Sequence, residues 1–210
     1  MNAAIAIDNY PLPSSLFTRP AAGRRRHVGA FEPDPDTLSR FNAVLARLGW
    51  RRAPLDCDQL ATAARELITV EVPTCIDLRV QQARQLATML ADRDWQTDER
   101  SLPAAHEVVA YLHADWHLLP GDLPRAGHLD DALALETAWP QLRPELANYQ
   151  DFRRLRSREA EYRGCRYEEV AFDRQSWREA RELEARLSEQ LRRIRETSYA
   201  PVAPACFRVH

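Results

Sequence analysis

The sequence predicts an all-α protein, a multi-helix bundle stiffened by one helical hairpin. Apolar residues recur at three- and four-residue steps through most of the chain from Asp36 onward, which is the pattern of helices with one buried face. Helix-type punctuation separates the stripes, with Asp or Ser before them and Gly or Pro after. A hydrophobic fraction of 45% is close to the globular average and supplies a core.

The first helix runs from Asp36, a candidate N-cap, to a stop at Gly49, with Leu38, Phe41, Val44, Leu45 and Leu48 on one stripe. A second, over 57–71, aligns Leu60, Ala64, Leu67 and Ile68 and closes before Pro73. The third, over 75–94, aligns Ile76, Val80, Ala83, Ala87 and Leu90. Ser101 opens a fourth, with Pro103 tolerated in its first turn. Past residue 140, Leu142, Leu146, Tyr149, Phe152 and Leu155 mark another helix. Asp173 caps the last and longest, striped by Trp177, Ala180, Leu187, Leu191 and Ile194. Its charges alternate in sign, which implies a solvated face opposite a core face, with docking of a partner helix as the alternative. Arg163 to Phe172 fits helix, strand or loop. The expected organisation is a flexible arm over 1–35, one helical domain over 36–197 and a second tail over 198–210.

Composition excludes several functions. The 29 basic and 31 acidic residues nearly cancel, against a dedicated nucleic-acid binder. Every basic residue is arginine, so Schiff-base and lysine phosphate-clamp mechanisms are excluded. The 4 cysteines show no Cys-x-x-Cys spacing, against a zinc knuckle or redox pair, and free thiols point to a reducing compartment. Neither a signal peptide nor a membrane-spanning run is visible. The expected location is the cytoplasm or the periphery of the inner membrane surface. Arg24, Arg25 and Arg26 could touch phosphate or anionic lipid, although a solvated arm is the simpler reading.

One block, Tyr111 to Ala132, is dense in structural residues. The fourth helix is expected to end near Leu118–Leu119, because the residue before Pro120 is pushed out of the α region. Pro120 and Pro124 stiffen a short connector, Gly127 offers a position free to take positive φ, and Asp130–Asp131 start the next helix as caps. The block therefore reads as a rigid helical corner, part of a hairpin over about 108–140. Tyr111, Leu118, Pro120, Pro124, Gly127, Leu129, Asp130, Asp131 and Ala132 resemble the motif of the YkvA-like family of small bacterial proteins of unknown function. Where that family carries a proline and two aspartates, this chain has Asp115, His117 and Gly121. The resemblance implies a compact helical domain with some membrane association and no established reaction.

The same block carries the chemistry that is visible. His106, His113, His117 and His128 fall close together in an acidic segment: residues 101–149 hold two arginines against seven acids, a net charge of −5. On a continuous helix His106 and His117 would lie ~16 Å apart, too far to share an ion. His113 and His117, one turn apart, could chelate with His128, Asp130 or Asp131 returning from the next helix, a set suited to zinc or a similar divalent metal. The alternative is that these histidines line a polar face. No His-Glu-x-x-His, Gly-x-Ser-x-Gly or glycine-rich phosphate loop is present, and no residue is assigned a catalytic role. The leading expectation is a non-enzymatic interaction or membrane-surface module, bound by a protein partner or a bilayer and without an organic cofactor. The alternative is a metal-binding protein or metal-dependent hydrolase.

Overall fold

The computed structural model describes residues 7–18, 26–28, 31–68 and 74–198. Among them are six α-helices and no strand: α1 Pro35–Arg47, α2 Cys57–Ile68, α3 Thr74–Ala91, α4 Leu102–Leu112, α5 Leu129–Arg163 and α6 Arg174–Ser198. Short 3-10 turns occupy Ser14–Leu16 and Tyr167–Glu169. The fold is all-α, as the periodicity predicts. Packing divides the chain into two compact units, residues 1–150 and 151–210, the division falling within α5.

In the first unit, α1 is capped by Asp34 rather than Asp36. Its Oδ2 accepts from the Thr37 amide at 2.8 Å, and Pro35 takes the first helical position. Gly49 ends the helix at a φ of +101°, a conformation that favours glycine. Asp56 and Gln59 cap α2 reciprocally, each side chain accepting from the other's amide at 2.8 and 3.2 Å. The stripe expected on α3 is rotated: the buried residues are Ile76, Arg79, Gln82, Ala83, Leu86 and Met89. Arg79 can be buried because Glu136 pairs with it at 2.7 Å and the carbonyls of Tyr10 and Cys75 accept at 2.8 Å. A polar letter at a core position misleads a periodicity count.

The arm expected to be flexible contributes to this core. Ile7, Leu12, Leu16 and Val28 are buried, and the Ser14–Leu16 turn packs on α2. Pro11 and Pro13 impose irregular backbone there, so no helical or strand period betrays the packing. Arg24 and Arg25 lie outside the described residues, as do 199–210; Arg26 is exposed.

α4 stops at Leu112, well before Leu118–Leu119. The amides of Leu118 and Leu119 donate to the Asp130 side chain, which withdraws them from any helical ladder. Residues 113–128 form the connector, and Arg125 there takes a φ of +63° while its guanidinium donates to the Ile68 carbonyl at 2.5 Å. α5 then begins at Leu129 as a helix buried almost all round, with Leu129 to Leu135 sheltered from solvent. Pro140 and Pro144 lie inside it on one exposed face, so the helical hydrogen bonds their missing amides remove are lost on the side nearest water.

In the second unit, Asp173 caps α6 as expected, accepting from the Ser176 amide at 2.8 Å. The ambiguous stretch 163–172 carries the 3-10 turn and no strand. Arg156 donates to the Val170 carbonyl at 3.1 Å and lies 4.6 Å from the Tyr167 ring centre. Asp151 accepts from Trp177 and Arg154 and pairs with Arg181. Burial works against its ionisation, but these donors outweigh it and hold the carboxyl below its ordinary range.

Gly127 is needed for a reason other than positive φ, which it does not adopt. A Cβ at this position would sit 2.5 Å from the Gly121 carbonyl oxygen and 2.9 Å from that of Pro120. Gly127→Ala should therefore destabilise by about 1–3 kcal/mol through overpacking against rigid backbone. Gly121→Ala meets nothing closer than 3.8 Å, a His128 ring atom, and should cost far less; urea titration of the two variants beside wild type reads both effects.

Candidate functional site

The connector folds back so that the start of α5 lies beneath it. Asp130, wholly buried, is the centre of that arrangement. Its Oδ2 accepts from the Tyr111 hydroxyl at 2.5 Å, the Leu118 amide at 2.9 Å and the Leu119 amide at 3.2 Å. Asp130 is thus a tie between α4, the connector and α5, not the helix cap expected from its position. Burial and the neighbouring Asp131 charge raise its pKa to about 6, although the Tyr111 hydroxyl and the Leu119 amide work the other way. The Tyr111 phenol is pushed well above its ordinary range by burial and by the Asp130 charge.

Asp131 is also buried. His128 Nδ1 lies 2.9 Å from its Oδ2, and His117 Nδ1 lies 3.4 Å from its Oδ1. One ligand atom from each of His117, Asp130 and Asp131 lies within 4.8 Å of the others. The remaining oxygens, Asp130 Oδ1 and Asp131 Oδ1, are buried and accept no hydrogen bond. The His117 side chain is 33% exposed and opens the cluster to solvent. Aromatic contacts hold the surroundings: Tyr111 meets Phe41, Trp116 and His117 with ring centres 5.1, 5.3 and 5.3 Å apart, and the Arg40 guanidinium caps Trp116 at 4.2 Å.

Of the histidines singled out by spacing, the structure brings only His117 into this cluster and places His128 behind Asp131. His113 follows the end of α4 and lines a cavity of about 260 Å³ with Val80, Arg84, Leu112 and His128, which reaches the cluster only at Asp131. His106 is exposed on α4. Of the remaining motif residues, Leu118 is buried and Pro124 is exposed, while Pro120 presents its carbonyl to Gly127. The Tyr111–Asp130 bond joins residues 19 apart, and no local pattern announces it.

A second feature lies on α6. Leu183, Leu187, Leu191 and Ile194 are 56–60% exposed. Of the stripe expected on this helix, Trp177 and Ala180 are half-buried, with the Trp177 indole donating to Asp151, whereas Leu187, Leu191 and Ile194 are exposed. Leu183 joins it through the i, i+4 step to Leu187, a spacing visible in the sequence. The remaining surface of the helix is charged and laced by ion pairs such as Arg181–Glu184, Arg186–Glu182 and Arg193–Glu189.

No protein-family model matches the chain, and comparisons with curated proteins and with solved structures find no match. No described helix is long and apolar enough to cross a membrane.

The raised pKa of Asp130 has a defined sign. The folded state holds this proton more tightly than the unfolded chain, whose carboxyl titrates near 3.8. Its contribution therefore favours folding at low pH and is lost as pH rises from about 4 through about 6. In chelator, the stability of Asp130→Asn relative to wild type should rise across that window by roughly 3 kcal/mol and level off above it. Paired urea titrations from pH 4 to pH 7 read that difference directly; a flat difference contradicts it.

Proposed function

We propose that the chain is a non-enzymatic helical protein, related to the YkvA-like type through its 111–132 corner, that works by helix pairing. The observation that carries this reading is the exposed stripe on α6 and the sign of charge at its two ends. Leu183 is flanked by Glu182 and Glu184, and Ile194 by Arg193 and Arg195. In an antiparallel pair of two such helices, Leu183 faces Ile194 and Leu187 faces Leu191. Glu182 and Glu184 then meet Arg195 and Arg193. The occupant that fits is a second copy of the same helix, related by a two-fold axis. The ion pairs that engage Glu182, Glu184 and Arg193 are solvent-exposed and individually weak, so they can be exchanged across a partner.

A bilayer suits this helix less well. Its 7 arginines are offset by 5 glutamates, which leaves little attraction for anionic lipid. Light scattering on the full chain should show a dimer that dissociates on dilution. Leu187→Glu should give a monomer at all concentrations, with helical content unchanged. Glu182→Arg with Glu184→Arg should weaken the dimer, and adding Arg193→Glu with Arg195→Glu should restore it. A wild type that stays monomeric yet floats with anionic vesicles at low salt would replace helix pairing with surface binding.

A further inference from the structure

We propose that His117, Asp130 and Asp131 form a binding site for a divalent cation of the zinc type, independent of helix pairing by α6. Each aspartate is held in the same manner. One oxygen is fixed by the protein: Oδ2 of Asp130 by Tyr111, Leu118 and Leu119, and Oδ2 of Asp131 by His128. The other oxygen is buried and accepts no hydrogen bond, Asp131 Oδ1 having the His117 ring nitrogen 3.4 Å away. Carboxylates that ligate metals are held in this way, one oxygen on the ion and the other on a supporting hydrogen bond. A buried acceptor left without a partner is otherwise costly.

The distances fit. Two ligands about 2.1 Å from a tetrahedral zinc lie roughly 3.4 Å apart, and His117 Nδ1 and Asp131 Oδ1 stand at 3.4 Å. One ligand atom from each of the three residues lies within 4.8 Å of the others, close enough for a single ion to be shared once the ligands draw in. Two adjacent buried carboxylates repel each other, and a dication balances both charges. The first turn of α5 supplies a favourable dipole, but the dipole gives no hydrogen bond to either Oδ1. An imidazole among the donors favours zinc over magnesium or calcium, which prefer all-oxygen sets. His117, partly exposed, leaves a fourth position open to water or a ligand. Tyr111 and His128 are positioning residues.

The test uses the tag-free full chain dialysed against chelator. Titration calorimetry with zinc chloride at neutral pH should show one ion per chain, and cobalt chloride should give the strong visible absorption of a tetrahedral site. His117→Ala and Asp131→Asn should each abolish both signals while circular dichroism shows the helices retained. His128→Ala should bind more weakly, on the order of 10–100-fold, as loss of a supporting hydrogen bond does. His106→Ala and His113→Ala should bind like wild type. Absence of zinc binding by the wild type overturns the proposal, as does wild-type affinity in His117→Ala. Equal competition by magnesium would also overturn it, because the nitrogen would then not be a ligand.

Discussion

The first unit depends on a single carboxylate oxygen. Asp130 Oδ2 gathers a hydroxyl from α4 and two amides from the connector onto the first turn of α5. Bonds of this kind to an ionised acceptor contribute about 1.5–3 kcal/mol each, and burying the charge costs several kcal/mol in return. The tie therefore fixes geometry more than it adds stability. It keeps Leu118 and Leu119 out of any continuation of α4, since amides given to Asp130 cannot also join a helical ladder. It also draws the connector close enough that residue 127 has no room for a side chain against the Gly121 carbonyl.

The same device recurs at several irregular points of the described first unit. Glu145 is buried and accepts from the Trp95 indole and the Asp98 amide, holding the turn before α4. Asn42 bonds both the amide and the carbonyl of Leu55 ahead of α2. Arg79 reaches the Tyr10 carbonyl, and Ser101 gives its hydroxyl to Gln141 instead of capping α4. Backbone groups removed from water need partners, and here side chains from neighbouring helices supply them. Buried polar residues thus locate the loops, while the apolar stripes locate the helices.

That division of labour explains what could be read in advance. The stripe of α1, that of α2 as far as Leu67, the Gly49 stop and the Asp173 cap follow from local spacing and are legible, whereas Ile68, expected on the α2 stripe, is exposed at the helix end. Arg79 and Gln82 are not legible, because their burial depends on partners elsewhere in the chain such as Glu136 and Gln150. The Pro-rich arm hid Leu12 and Leu16 from any periodic search. Within the site, the Asp130–Asp131 pair and His117 stood out by type and position. Extending α4 through His117 assigned the wrong partner, however, pairing it with His113 one turn away. Only the early end of α4 turns His117 toward the aspartates.

The structural tie accounts for one oxygen of Asp130 and leaves its charge unexplained. A neutral amide at residue 130 would present one oxygen to the same donors without the cost of burying an ion, although it accepts less strongly. Asp131 sharpens the contrast. Its bond to the half-exposed His128 ring could equally be made by an amide oxygen, and its charge raises the pKa of Asp130 beside it. A second carboxylate there weakens the tie if holding the corner is its whole purpose. Two negative charges with their outer oxygens buried, opposite an imidazole, are the arrangement that the cation of the proposed site would balance. The corner is then a scaffold whose rigid side holds the carboxylates and whose open side, at His117, faces solvent.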